Sequence, residues 1–140
     1  DRGGPSLAFQ LLVYPVTDRN FGTGSYQENG EGYGLSKDGM SWYWDQYLSS
    51  PSDASNPYAA PLQATDLSGL PAALVITAEY DPLRDEGEAY AHSLQAAGVP
   101  TICTRYDGMT HGFFNNYDVI DKGKEAISQA SSALVEAFGS

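Results

Sequence analysis

The sequence predicts an α/β fold built on a mostly parallel sheet, and three observations predict it. Residues 10–14 (QLLVY) and 73–78 (ALVITA) are short, nearly continuous apolar runs, as expected of strands covered on both faces. Residues 101–106 (TICTRY) form a third, more polar run of strand-forming composition. Segments with helical periodicity separate these runs, so the order is strand, helix, strand, helix, strand, helix. That alternation is the mark of a parallel sheet whose ligand sites lie at the carboxyl ends of the strands.

Taken in order, the first strand is closed by Pro15, and residues 17–31, rich in Gly, Asn and Tyr, read as a loop. Ser36 is placed as the N-cap of a short amphipathic helix over residues 40–48. Residues 49–68 hold three prolines and little periodicity, which predicts an ordered surface crossing made of turns. The second strand is entered through Leu70-Pro71 and ends at Glu79-Tyr80-Asp81-Pro82. A helix follows over residues 84–97, stopped by Gly98 with Pro100 just beyond. The polar pattern of the third strand puts it nearer a sheet edge, and residues 107–116 read as a loop. The last helix, residues 122–138, carries Ala126, Ile127, Ala130, Ala133, Leu134 and Phe138 on one stripe.

The chain has 140 residues, 41% hydrophobic and 18% charged, in the commonest size range for one domain. With 18 acidic against 7 basic side chains the formal charge is -11, so the surface repels phosphate backbones, and nucleic acid is excluded as a partner. The single cysteine, Cys103, rules out an intramolecular disulfide and any CxxC metal or redox site. No apolar run approaches the roughly 20 residues needed to span a bilayer. The compartment stays open, with the cytoplasm favoured. The polar start without an initiator Met is expected of a fragment.

Asp81 sits just past the second strand and His111 lies beyond the third, both at the same edge of the predicted sheet. Neighbouring parallel strands lie about 5 Å apart, so loops leaving them can bring a carboxylate within reach of an imidazole. An Asp that accepts the Nδ1 proton fixes the tautomer and leaves Nε2 to take a proton from a nucleophile. Asp81 before Pro82 also fits a residue that merely favours a helix dipole, and His111 a solvent-facing loop residue. Their order and strand placement together favour the acid–base pair. His92, inside the amphipathic helix, reads as a surface residue.

Asp107-Gly108-Met109-Thr110-His111-Gly112-Phe113 resembles the histidine loop of the hormone-sensitive-lipase family of bacterial carboxylesterases. Thr77-Ala78-Glu79-Tyr80-Asp81-Pro82-Leu83-Arg84-Asp85-Glu86-Gly87 resembles that family's acid loop. Asp1-Arg2-Gly3-Gly4-Pro5 with Gln10-Leu11-Leu12-Val13-Tyr14-Pro15 is similar to the loop and strand after its nucleophile helix. The resemblance implies the carboxyl-terminal part of one α/β-hydrolase domain: the last three strands and their helices, with about residues 17–68 as cap segment and connecting loops. It implies Asp81 as triad acid, His111 as triad base, an acyl-ester substrate and no cofactor or metal. It also implies a possible homodimer through the third strand and the last helix.

The family's Gly-x-Ser-x-Gly elbow is absent: Ser6, Ser36 and Ser41 each have only the preceding glycine. The nucleophile is therefore expected on an amino-terminal part of the same enzyme, and the 140 residues alone are expected to be inactive. Cys103, mid-strand, is a poor substitute. Phe113, adjoining His111, and Phe21 and Trp42 in the cap segment are the candidate pocket aromatics, with Phe114 and Trp44 beside them. A non-catalytic ligand receptor and a peptidase or amidase of the same fold stay open as alternatives. Retention of His111 speaks against the receptor.

Overall fold

The computed structural model describes residues 4–139, so Asp1, Arg2 and Gly3 of the first family-like motif lie outside the described residues. Three strands, β1 (Gln10–Val13), β2 (Ala73–Tyr80) and β3 (Thr101–Thr110), form one sheet in the order β1-β2-β3 with both pairings parallel. Four helices, α1 (Gly24–Asn29), α2 (Lys37–Tyr47), α3 (Arg84–Ala96) and α4 (Asp121–Phe138), and three single 3₁₀ turns complete the chain.

β2 is the axis of the fold. Its residues 73–78 are all buried, because both edges are paired and both faces covered. Leu74, Ile76 and Ala78 pack with Tyr106 and Phe113 against Ala126 and Ala130 of α4. Ala73, on the alternate face, joins Tyr90 and Leu94 of α3 with Leu67 and Val99. Each fully buried Leu, Ile or Val stabilises the fold by ~1.5–3 kcal/mol. β3 lies at the sheet edge, as its polar pattern predicts. β1 differs from expectation: its residues are half-buried rather than enclosed, because β2 alone pairs with it among the described residues.

The sequence reading places the helix at residues 40–48, whereas α2 begins at Lys37, directly after Ser36, whose hydroxyl accepts from the Gly39 N–H at 3.0 Å. The expected loop at residues 17–31 contains α1, capped by the Thr23 side chain. Gly98 adopts φ +78° just past α3, closing it with a Val99 N–H to Leu94 carbonyl bond. Ala126, Ala130 and Ala133 of the predicted α4 stripe face the core, but Phe138 at the helix end stands exposed. No helix of the described residues is long and apolar enough to cross a membrane.

Residues 51–55 and 61–63 are 3₁₀ turns in the surface crossing. Together α1, α2 and this crossing bury a separate cluster of Tyr26, Met40, Trp44 and Ala60, completed by Leu83 at the start of α3.

α4 is seated by Gly123, where an added Cβ would lie 3.0–3.2 Å from backbone atoms of Tyr117 and from the Phe113 carbonyl. Backbone cannot swing aside as a side-chain tip can. Gly123→Ala is expected to destabilise the protein by ~1–3 kcal/mol, seen as a lower denaturation midpoint with an unchanged m-value.

Candidate active site

β2 delivers Asp81 one residue beyond its end, and the acid is fixed at once. Its side chain is fully buried, and Oδ1 accepts the Leu83 N–H at 2.9 Å in a local turn that Pro82 stiffens. Burial is tolerable because both carboxylate oxygens are engaged.

His111 arrives by a less expected route. Residues 107–110, read from sequence as loop, continue β3 to Thr110. The register runs evenly to Ala78↔Tyr106 and then jumps to Tyr80↔Thr110, so Glu79 alone opposes Asp107, Gly108 and Met109. This is a bulge, which bends a strand and re-aims the side chains beyond it. Gly108 takes φ +77° at its apex, and its N–H is held by Glu79 Oε2 at 2.6 Å. The Lys122 ammonium donates to the Asp107 carbonyl from α4. Past the bulge, Gly112 at φ +89° turns the chain into the 3₁₀ turn Phe113–Asn116.

The outcome is a direct contact: His111 Nδ1 lies 2.8 Å from Asp81 Oδ2. A carboxylate only accepts, so Nδ1 carries the proton and donates it, which leaves Nε2 as the basic nitrogen. The imidazole is 27% exposed and thus open on one side. One ring face packs on Tyr14, with centroids 4.3 Å apart and planes inclined 50°.

Beneath the pair lies a second buried acid that the sequence did not single out. Glu86, in the first turn of α3, accepts the Thr17 N–H at 2.8 Å and the Asp18 N–H at 3.3 Å through Oε1, while Thr17 Oγ1 donates to its carbonyl. Its Oε2 is buried without a partner among the described residues. Burial pushes this carboxyl up to about 8, with the charges of Asp18 and Asp81 adding to the effect and the two N–H donors opposing it.

α1 is fastened to the turn that carries Asp81. Ser25 of α1 donates its N–H to Asp85 Oδ2 at 2.8 Å and its hydroxyl to the Pro82 carbonyl at 2.7 Å. Arg84 bonds the Glu79 carbonyl, Asp85 and Glu28 of α1 at 2.9–3.0 Å.

The three predicted pocket aromatics take different settings. Phe113 is buried in the main core against Tyr106, because the 3₁₀ turn after Gly112 points it inward; it supports the histidine turn instead of lining a pocket. Trp42 is 58% exposed and meets Tyr43 edge-on, and Phe21 packs edge-on against Tyr26. Phe114 packs beside the main core. An apolar hollow of about 380 Å³ is lined by Val16, Met40, Tyr43, Trp44, Tyr47 and Ala59. Only Trp44 of the expected aromatics belongs to it. His92 is exposed, as the sequence predicts. Burial pushes the Cys103 thiol up, away from the reactive thiolate.

Comparison with known proteins identifies the family. Residues 1–115 match a family described by its alpha/beta hydrolase fold. The chain belongs to the α/β-hydrolase family. Its resemblance to the hormone-sensitive-lipase type holds, since its relatives are carboxylesterases. This hydrolase chain is 41% identical over 133 residues to the carboxylic ester hydrolase LipN of Mycobacterium tuberculosis, covering 94% of this chain and 35% of that protein. It is 36% identical over 125 residues to an ethyl acetate hydrolase of Pseudomonas putida, covering 89% and 39%. An α/β-hydrolase structure from the metagenome of Lake Arreo superposes with a TM-score of 0.90 at 43% identity, covering 99% of this chain and 44% of that one. The hydrolase chain thus spans well under half the length of these relatives.

Two residues of this site escaped the sequence reading. Tyr14 precedes a proline, which favours extended backbone, yet it takes φ +37°. Glu86 looks like an ordinary acid in a first helical turn. Because its folded value lies above the ordinary 4.5, the folded state holds a proton that the unfolded state has released, and stability falls as pH rises from about 4.5 to about 8. Glu86→Gln removes that slope. Melting temperatures against pH are expected to diverge, with the Gln variant ahead by ~4 °C or more at pH 8; parallel curves would show Glu86 ionised throughout.

Proposed function

We propose that this chain is the acid-and-base part of a carboxylic ester hydrolase working through a Ser-His-Asp triad. The observation that carries this reading is the 2.8 Å contact between Asp81 and His111 at the carboxyl ends of neighbouring parallel strands. Asp81 is the triad acid and His111 the base. Residues 17–68 form the cap segment with its connecting loops, and the remaining residues belong to the catalytic core. The serine and the oxyanion donors come from the amino-terminal part of the same enzyme, and the 140 residues alone do not acylate.

In this reading Nε2 of His111 takes the serine proton as the hydroxyl attacks the acyl carbon, and the imidazolium formed is held against Asp81. His111 then gives that proton to the departing alkoxide. The acyl-enzyme is cleared by water, with His111 again as base. Asp81 keeps one tautomer and one ring orientation throughout. The cap hollow, walled by Met40, Tyr43, Trp44 and Tyr47, suits an apolar acyl or alcohol group, and the relatives named as ester and ethyl acetate hydrolases support small acyl esters over amides. Ile102 on the open edge of β3, with Val135 and Phe138 on α4, are exposed apolar groups that support the expected homodimer contact.

Hydrolysis of p-nitrophenyl acetate by the protein bearing both parts tests the assignment. His111→Ala is expected to lower kcat by about 10³-fold or more and Asp81→Asn by a comparable factor. A His111→Ala protein as fast as its parent would overturn it.

A further inference from the structure

We propose that Tyr14 is a positioning residue whose ring holds the imidazole of His111 in its productive orientation. This rests on the hydrolase reading and adds a group to it. A single hydrogen bond from Nδ1 to Asp81 fixes one end of the imidazole but leaves it free to rock about that bond. The Tyr14 ring, 4.3 Å away and inclined 50°, closes one side of that motion. Its own ring is backed by buried Phe113, 6.2 Å away, which lies in the turn that carries His111.

The backbone at Tyr14 says that this placement is imposed. Tyr14 is the one non-glycine residue with positive φ among the described residues, at +37°. A bulky side chain in the left-handed region persists only where its surroundings over-determine it, and such sites cluster where geometry serves function. Here the constraints are visible on both sides. The Tyr14 N–H ends the β1 ladder on the Ile76 carbonyl at 2.6 Å. The next residue, Pro15, packs at Gly87, where a Cβ would come within 3.4 Å of its ring and 3.2 Å of Thr77. Glu86 then clamps the N–H groups of Thr17 and Asp18. The turn between β1 and the cap is thus pinned to the start of α3, and the strained residue presents its ring to the imidazole.

The test compares Tyr14→Phe, which keeps the ring, with Tyr14→Leu and Tyr14→Asn, which remove it; Asn enters the left-handed region readily and provides a folded variant if Leu does not. In the complete protein, kcat on p-nitrophenyl acetate is expected to fall about tenfold in Leu and Asn, with KM within about twofold, and to stay near the parent value in Phe. In nuclear magnetic resonance spectra the His111 ring protons, shifted by the Tyr14 ring current, are expected to move in Leu and Asn and to stay in place in Phe. Equal kcat in folded ring-bearing and ringless variants, or unmoved His111 resonances, would overturn the proposal. An active His111→Ala protein would instead remove the hydrolase reading, while the ring-proton shifts still report on the Tyr14 contact.

Discussion

Everything at this site depends on one backbone pairing, the parallel ladder between β2 and β3 and the place where it breaks. Parallel strands in register carry their ends forward together, and six regular pairs from Ala73↔Thr101 to Ala78↔Tyr106 set that direction. An unbroken ladder would keep β3 tied to the sheet. The bulge opposite Glu79 inserts two extra residues, bends the strand and gives His111 its approach to Asp81. The Glu79 carboxylate secures the bulge through Gly108, so the residue two before the acid also shapes the path to the base.

Burial sets the second constraint. Asp81 is closed off from water, with one oxygen on Leu83 N–H and the other on the imidazole. For Glu86, burial first and then the charges of Asp18 and Asp81 push the carboxyl up to about 8. Two acids in different environments thereby make different contacts, Asp81 with the His111 imidazole and Glu86 with the turn that follows β1.

Much of the fold was legible in the sequence, and the reasons lie in particular residues. The apolar runs of β1 and β2 and the Gly98 stop after α3 are local patterns that tertiary structure did not override. Asp81 and His111 were legible because strand order alone places their loops at one edge. What the sequence hid were features decided by long-range packing. The extension of β3 through Asp107-Gly108 looks like a turn, and only pairing with Glu79 makes it strand. Tyr14 before Pro15 reads as extended, and only the pinning of both flanks forces it left-handed. Phe113 was chosen as a pocket aromatic by adjacency to His111, and adjacency in sequence does not say which way a ring turns: Phe113 turned into the core.

The fastening of α1 to the turn after β2 separates two parts of the structure that substitution can reach. Ser25, Asp85, Arg84 and Glu28 bind α1 to the very turn that holds Asp81, so substitutions there disturb helix and turn at once. α2 and the 3₁₀ turns carry no such bond to the acid loop among the described residues, yet Met40, Tyr43, Trp44 and Tyr47 wall the hollow. Substitutions in α2 can therefore reshape the walls of the hollow while the contacts of α1 with the Asp81 turn stay in place.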